Sequence, residues 1–384
     1  MTKGMKKEYY KMPKEQFEEY LDNVKKNRNT IHFFADLGEP YFFLADSDIS
    51  SSLLALNKDS WEFDRIVSGF SAFGLKQLIQ SFLISEVQST NETENIRSTR
   101  QDIFYVINNL QKKGDKKIVS ITNAYQILTQ GGFRVPQSSA DVRGIYDQLM
   151  QGAIDKESLP DGQYYRRGSV RVVDGLKVIH SGFYPEEKIN TAMEEFLQIY
   201  NDQNMDVFQR LILSHFLIET IHPYYDGNGR LGRFLITLNM YKQTGSYLAF
   251  TVATAINRKK NRYYAALNDA EDRHEFGSLN QFALDIAGIL HEGFQQVIQD
   301  CQQKLEHISN RNFGEMPLTK SEKKIFDLLA EATELSEAGI SIDDIIANGQ
   351  VSRRTVISTL NRFRDNNMLE ETKSSRTTYH KLKQ

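Results

Sequence analysis

Between residues 222 and 233 the chain reads HPYYDGNGRLGR, and the side chains of that stretch cover most of what phosphate chemistry requires. His222 is an imidazole able to accept a proton near neutral pH, and Asp226 is a carboxylate of the kind that holds Mg2+ beside phosphates. Gly227-Asn228-Gly229 forms a turn leading straight into a helix predicted from about Arg230. Glycines let successive backbone N–H groups converge, and the helix start adds its positive end, so this junction suits an anion. Arg230 and Arg233 share one face of the first turn, where the helix dipole disfavours cations. Such local conflicts concentrate at functional sites. A capped loop with incidental charges is the bland alternative. Base, metal ligand, anion nest and two arginines together point to phosphate transfer.

These residues need rigid elements around them. Apolar residues at 207, 208, 211–213, 216–218 and 221 surround a helix, which should therefore be central, and Pro223 ends it. Helical patterns also run from about Leu53 to Lys112 and from Glu186 to about Ile308. Segment 31–48 reads as a short strand pair or an irregular packed stretch. Segment 162–185 differs, with β-branched residues alternating around Asp174-Gly175, a hairpin signal. After a polar linker near 310–317, residues 318–384 read as three helices and two short strands.

The 222–233 stretch resembles the Fic motif, HxFx(D/E)GNGRxxR, with Tyr224 where phenylalanine is usual. The resemblance implies a mainly α fold: a Fic-type helical core with a β-hairpin flap, a helical N-terminal part and a small C-terminal winged helix-turn-helix. It implies transfer of AMP from ATP to a Ser, Thr or Tyr hydroxyl of a target protein. His222 would be the general base and Asp226 would hold Mg2+. Gly227, Asn228 (backbone and side chain) and Gly229 would cradle phosphate, with Arg230 and Arg233 gripping its far end. The 162–185 hairpin resembles the flap, on which a target protein would dock by strand addition. Segment 261–268 resembles the helix lining the nucleoside pocket, with Tyr264 and Asn268 as contacts. Thr90-x-x-x-Glu94-Asn95 resembles the family's (S/T)xxxE(G/N) inhibitory motif. Glu94 would then pair with Arg233, occupying its fork and repelling the terminal charge of ATP.

The implied division is 1–112, helical and carrying the inhibitory helix; 113–310, the Fic core; and 318–384, the winged-helix-like part. Across the 384 residues, 47 basic and 50 acidic side chains leave a net charge of −3, so no global field holds the chain on nucleic acid or an anionic membrane. Residues 348–384 alone carry 8 basic and 3 acidic side chains. Arg353, Arg354, Arg362, Arg364, Lys373, Arg376, Lys381 and Lys383 thus make DNA a further partner to test, and a homodimer is open. No apolar run is long enough for a membrane span and no signal peptide is visible, which reads as cytoplasmic. The single cysteine, Cys301, excludes an internal disulfide. Four other readings compete: a Fic-fold enzyme that transfers phosphate or another nucleotide part, a Fic enzyme that removes AMP, a DNA-binding regulator with a nucleotide-sensing core, and a metal hydrolase using His215, His222 and Asp226.

Overall fold

The structure, a computed structural model, describes residues 4–38, 40–108, 116–174, 177–311, 317–374 and 377–383. Among the described residues the chain is mainly helical, with sixteen α-helices and three small sheets. It opens with α1 (Met5–Tyr9) and α2 (Lys14–Lys26), then the antiparallel pair β1 (Ile31–Phe33) and β2 (Tyr41–Phe43). Helices α3 (Ser47–Val67), α4 (Ala72–Thr93), α5 (Arg100–Ile107), α6 (Lys116–Thr129) and α7 (Ser139–Leu149) follow. Next come β3 (Arg171–Asp174) and β4 (Lys177–Ser181), then α8 (Glu186–Asn201), α9 (Val207–Ile221) and α10 (Asn228–Thr244). The remainder comprises α11 (Val252–Arg258), α12 (Lys260–Ala270), α13 (Asn280–Asn310), α14 (Lys320–Leu335), β5 (Ile340–Ser341), α15 (Ile342–Gly349), α16 (Arg353–Asp365), β6 (Leu369–Ser374) and β7 (Thr377–Leu382).

The chain divides into two compact units, residues 1–60 with 83–294 and residues 61–82 with 295–384. In the first unit α9 is the central element, as its all-round apolar pattern predicts. Twelve of its fifteen residues are buried, and it packs between α8 and α10. Asp206 caps its start by accepting from the Phe208 and Gln209 N–H groups, and Pro223 follows its end. The hairpin expected near 162–185 is present as β3–β4, with a bulge between Val172 and Val173. Its turn at Gly175 lies outside the described residues.

In the second unit Phe73 is buried in a cluster with Ile325, Leu329, Val356, Leu360 and Phe363. Thr319 and Glu322 form a reciprocal cap on α14, and Ser341 and Ser352 cap α15 and α16. The antiparallel sheet runs β5-β7-β6. The basic side chains of this region are largely engaged at home: Arg353 with Asp343, Arg362 with Glu322 and Arg364 with Glu371. Lys381 donates to the Glu337 carbonyl and Lys383 to Asn367. Arg376 lies outside the described residues.

Candidate functional site

The motif loop joins the two most buried helices, and each residue in it has a local reason for its place. His222 terminates α9 in the left-handed region, φ 51°, a conformation that histidine tolerates better than most side chains. Its carbonyl accepts from Arg166 Nε at 2.9 Å. Tyr224 is fully buried and stacks on Tyr146 at 3.6 Å between ring centroids. Its hydroxyl finds no hydrogen-bond partner among the described residues, so the ring serves as the apolar anchor that phenylalanine would be. Gly227 takes φ +86° as the residue before α10, a backbone state that favours glycine.

Asn228 is buried, and its amide braces the loop. Oδ1 accepts from the Tyr224 N–H at 2.9 Å and Nδ2 donates to the Tyr224 carbonyl at 2.8 Å. Oδ1 and one N–H of Nδ2 are thus taken up inside the loop. Asp226 is open to solvent, 54% exposed, and accepts from Arg230 at 3.2 Å. Arg230 is buried, and its Nε has no hydrogen-bond partner among the described residues.

Arg233 lies fully inside, one turn along α10, and the end of α4 closes over it. Its Nη2 sits 2.7 Å from Glu94 Oε1 and donates to the Thr90 carbonyl, while Nε donates to Thr90 Oγ1 at 2.9 Å. Both named positions of the Thr90-x-x-x-Glu94 pattern therefore hold one guanidinium. Burial raises the Glu94 carboxyl, but the charge and hydrogen bond of Arg233, aided by Arg230 and His222, hold it below the usual carboxylate range. The same carboxylate lies directly over Gly229, where an added Cβ would come within 2.3 Å of Oε1. Asn95 explains the last motif position: it takes φ 57° just past the helix, with the Ile96 N–H returning to the Asn91 carbonyl. This is a left-handed helix stop that glycine or asparagine supplies.

The nucleoside-pocket candidates lie on α12. The Tyr264 ring is 38% exposed and its hydroxyl donates to the Thr93 carbonyl at 3.1 Å. Asn268 is exposed one turn further on. Tyr263 is instead core, its hydroxyl 2.9 Å from His215 Nε2. Burial and the Arg233 charge push His215 down to about 3, so it is neutral and part of the packing. Among the described residues no group of three or more metal-ligating side chains converges.

Sequence reasoning missed Arg166. It is fully buried, and its guanidinium donates to three carbonyls: His222, Gly168 and Phe183. Gly168 and Phe183 flank the β3–β4 hairpin. Backbone bonds from Arg166 N–H to Pro223 and from Phe183 N–H to Ile221 complete the join. Tyr225 adds another, accepting from the Gly168 N–H and donating to Asp161. The hairpin base and the His222 backbone are thus one hydrogen-bonded piece. Nothing in the local sequence separates buried Arg166 from its exposed neighbour Arg167.

The model of the Fic/DOC family matches residues 136–240, which include the hairpin, α9 and the whole motif loop. Residues 136–240 are a Fic/DOC domain. Among curated relatives, a probable protein adenylyltransferase of Aquifex aeolicus (strain VF5) is 30% identical over 135 residues, 35% of this chain and 37% of that protein. A protein adenylyltransferase of Caenorhabditis elegans is 25% identical over 142 residues, 36% of this chain and 26% of that protein. The chain thus spans little more than a third of the first relative and about a quarter of the second.

Two solved structures share the fold. A Fic family protein from Desulfovibrio desulfuricans G20 superposes with a TM-score of 0.54 at 20% identity, covering 86% of this chain and 96% of that one. A Fic domain containing signaling protein from Bacteroides thetaiotaomicron VPI-5482 gives 0.51 at 13% identity, covering 68% and 100%. The Fic/DOC domain therefore sits within a wider helical framework shared with these proteins.

Proposed function

We propose that this protein is an adenylyltransferase that moves AMP from ATP to a hydroxyl of a target protein and that Glu94 restrains it. The observation carrying the restraint is the Glu94 carboxylate, 2.7 Å from Arg233 and seated against Gly229. A negative group there takes the position that a phosphate would need, and it neutralises the cation that would bind it. With Glu94 displaced, the Gly227–Gly229 backbone and Arg233 can receive the polyphosphate, and Arg230 can offer its unpartnered Nε. The His222 imidazole then takes the proton of the attacking hydroxyl as that oxygen bonds to the α-phosphorus and pyrophosphate leaves. The curated adenylyltransferase relatives support this reading.

Mg2+ fits the donor set. Asp226 is a half-exposed carboxylate at the loop, and a single carboxylate with substrate phosphates is a usual Mg2+ environment. Bound there, the ion would neutralise charge on the phosphates. The β3–β4 hairpin, fixed at its base to His222 through Arg166, is the surface on which a target strand would pair. Tyr264 and Asn268 would contact the nucleoside. Contact with DNA through residues 348–384 draws no support here, since Arg353, Arg362 and Arg364 are already paired with Asp343, Glu322 and Glu371.

The test is incorporation of α-labelled ATP into protein with Mg2+ present. A charge-assisted hydrogen bond is worth about 1.5–3 kcal/mol, so Glu94→Gly should raise labelling roughly 10- to 100-fold. His222→Ala in the same background should abolish it. An unchanged rate in Glu94→Gly removes the restraint from the reading. Equal labelling with His222→Ala removes the base.

A further inference from the structure

Glu86 is a fully buried carboxylate two turns before Glu94, and nothing in the proposed chemistry uses it. Its oxygens accept from the Ala253 N–H at 2.7 Å, the Thr254 N–H at 3.0 Å, Thr254 Oγ1 at 3.2 Å and Thr237 Oγ1 at 3.3 Å. Burying a carboxylate is costly, and these converging donors are what make it tolerable. Three come from α11, and the other is the Thr237 hydroxyl, whose proton is shared with the Arg233 carbonyl at 3.1 Å. The partners lie on α10 and at the start of α11, so one side chain ties α4 to two other helices.

The spacing carries the argument. Glu86 and Thr90 share one face at the end of α4, and Glu94, four residues further on, follows in the turn just past it. Their counterparts on α10 run the other way at the same interval. Glu86 meets Thr237, Thr90 meets Arg233, and Glu94 meets Arg233 and Gly229. This is a polar ladder between antiparallel helices, and its three rungs must be in register together. Glu94 projects from the last, free-ended rung, while Glu86 is held by three donors from α11 and the shared Thr237 hydroxyl. Helices pass one another in steps of one turn, about 5.4 Å, and a single step would carry Glu94 clear of its seat.

We infer that Glu86 is a positioning residue for the restraint: it sets the register of α4 against α10 and α11 that delivers Glu94 to Arg233 and Gly229. The inference rests on the reading of Glu94 as a restraint, and the experiment separates the two. The full-length protein, E86Q, E94G and the double variant are compared for AMP transfer at pH 8 with saturating ATP and Mg2+. The glutamine amide of E86Q must face an N–H at one of its two positions, so at least one tie to α11 is lost. E86Q should raise kcat roughly 3- to 10-fold where Glu94 is present and change it less than 2-fold in the E94G background. A merely structural role would lower kcat in both backgrounds.

Amide exchange across residues 86–95 should be faster in E86Q, a readout independent of activity. An E86Q rate equal to or below the parent's, while E94G is activated, overturns the inference. So does unchanged exchange. If E94G is not activated, the reading of Glu94 fails first. Should E86Q not fold, T237V removes one donor from the same rung. It should show the same background dependence with a smaller rise, and equal effects in both backgrounds overturn the inference.

Discussion

Arg166 shows how much one buried side chain can organise. Burial pushes its guanidinium down to about 10, with Tyr225 opposing, yet its three N–H arms each meet a carbonyl. A lysine has a point charge and no planar fork, so it cannot serve three acceptors set around a plane. Arg166→Lys should therefore loosen the His222 backbone and lower kcat roughly 10- to 100-fold, since small misplacements of a catalytic group cost that much. Labelled-ATP turnover in the Glu94→Gly background measures it, and a change below 2-fold would contradict the role. The motif residues were legible from type and spacing because His222, Asp226, Gly227, Gly229, Arg230 and Arg233 all lie within 12 positions. Arg166 was not, because its partners are backbone atoms 2, 17 and 56 residues away, and carbonyls leave no signature in a sequence. The bracing contacts of the Asn228 side chain were not legible for a related reason: an amide can brace its own loop as readily as it can reach outward.

Among the elements, α9 was the most legible, since apolar residues on every face leave a helix no place but the interior. The third helix of the C-terminal region was equally plain from the Ser352 cap. The stop of α4 is subtler and more consequential, because Glu94 sits in the turn just past its last residue. Asn95 at φ 57° makes that turn, and a β-carbon without a polar group costs about 1–2 kcal/mol there. Asn95→Ala should therefore fray the turn, free Glu94 part of the time and raise AMP transfer a few-fold. Asn95→Gly should leave the rate near the parent's. Equal rates in the two variants would show that the turn does not control the carboxylate. How α4 finds α10 was not legible. Their ladder pairs residues 139 to 151 positions apart, and a four-residue polar spacing is also what a solvated helix face displays.

For the molecule as a whole, the compact units are discontinuous in the chain, with boundaries inside α3, α4 and α13. Uninterrupted helical periodicity carries no mark of such a boundary. Global stability should also report the buried carboxylate of Glu86. Burial pushes it up to about 7, opposed by the donors of Ala253, Thr254 and Thr237, with Tyr125 and Arg233 as the nearby titratable groups. Between about 4.5 and 7 the folded chain thus holds a proton that the unfolded chain has released. Its contribution is greatest below that window and declines as pH rises through it. Urea midpoints at pH 5 and pH 7.5 should differ less in Glu86→Gln than in the parent, and an unaltered difference would locate the linkage elsewhere. Gly229 has a last consequence. On the proposed reading, the gap left by its missing methyl is claimed by two anions that cannot share it, one tethered to the chain and one borne by the nucleotide. A larger residue at 229 would evict both at once. A lineage that sheds its restraint and keeps its substrate must therefore change at Glu94 or along α4. The motif loop is barred from drifting by the inhibitor as firmly as by the catalyst.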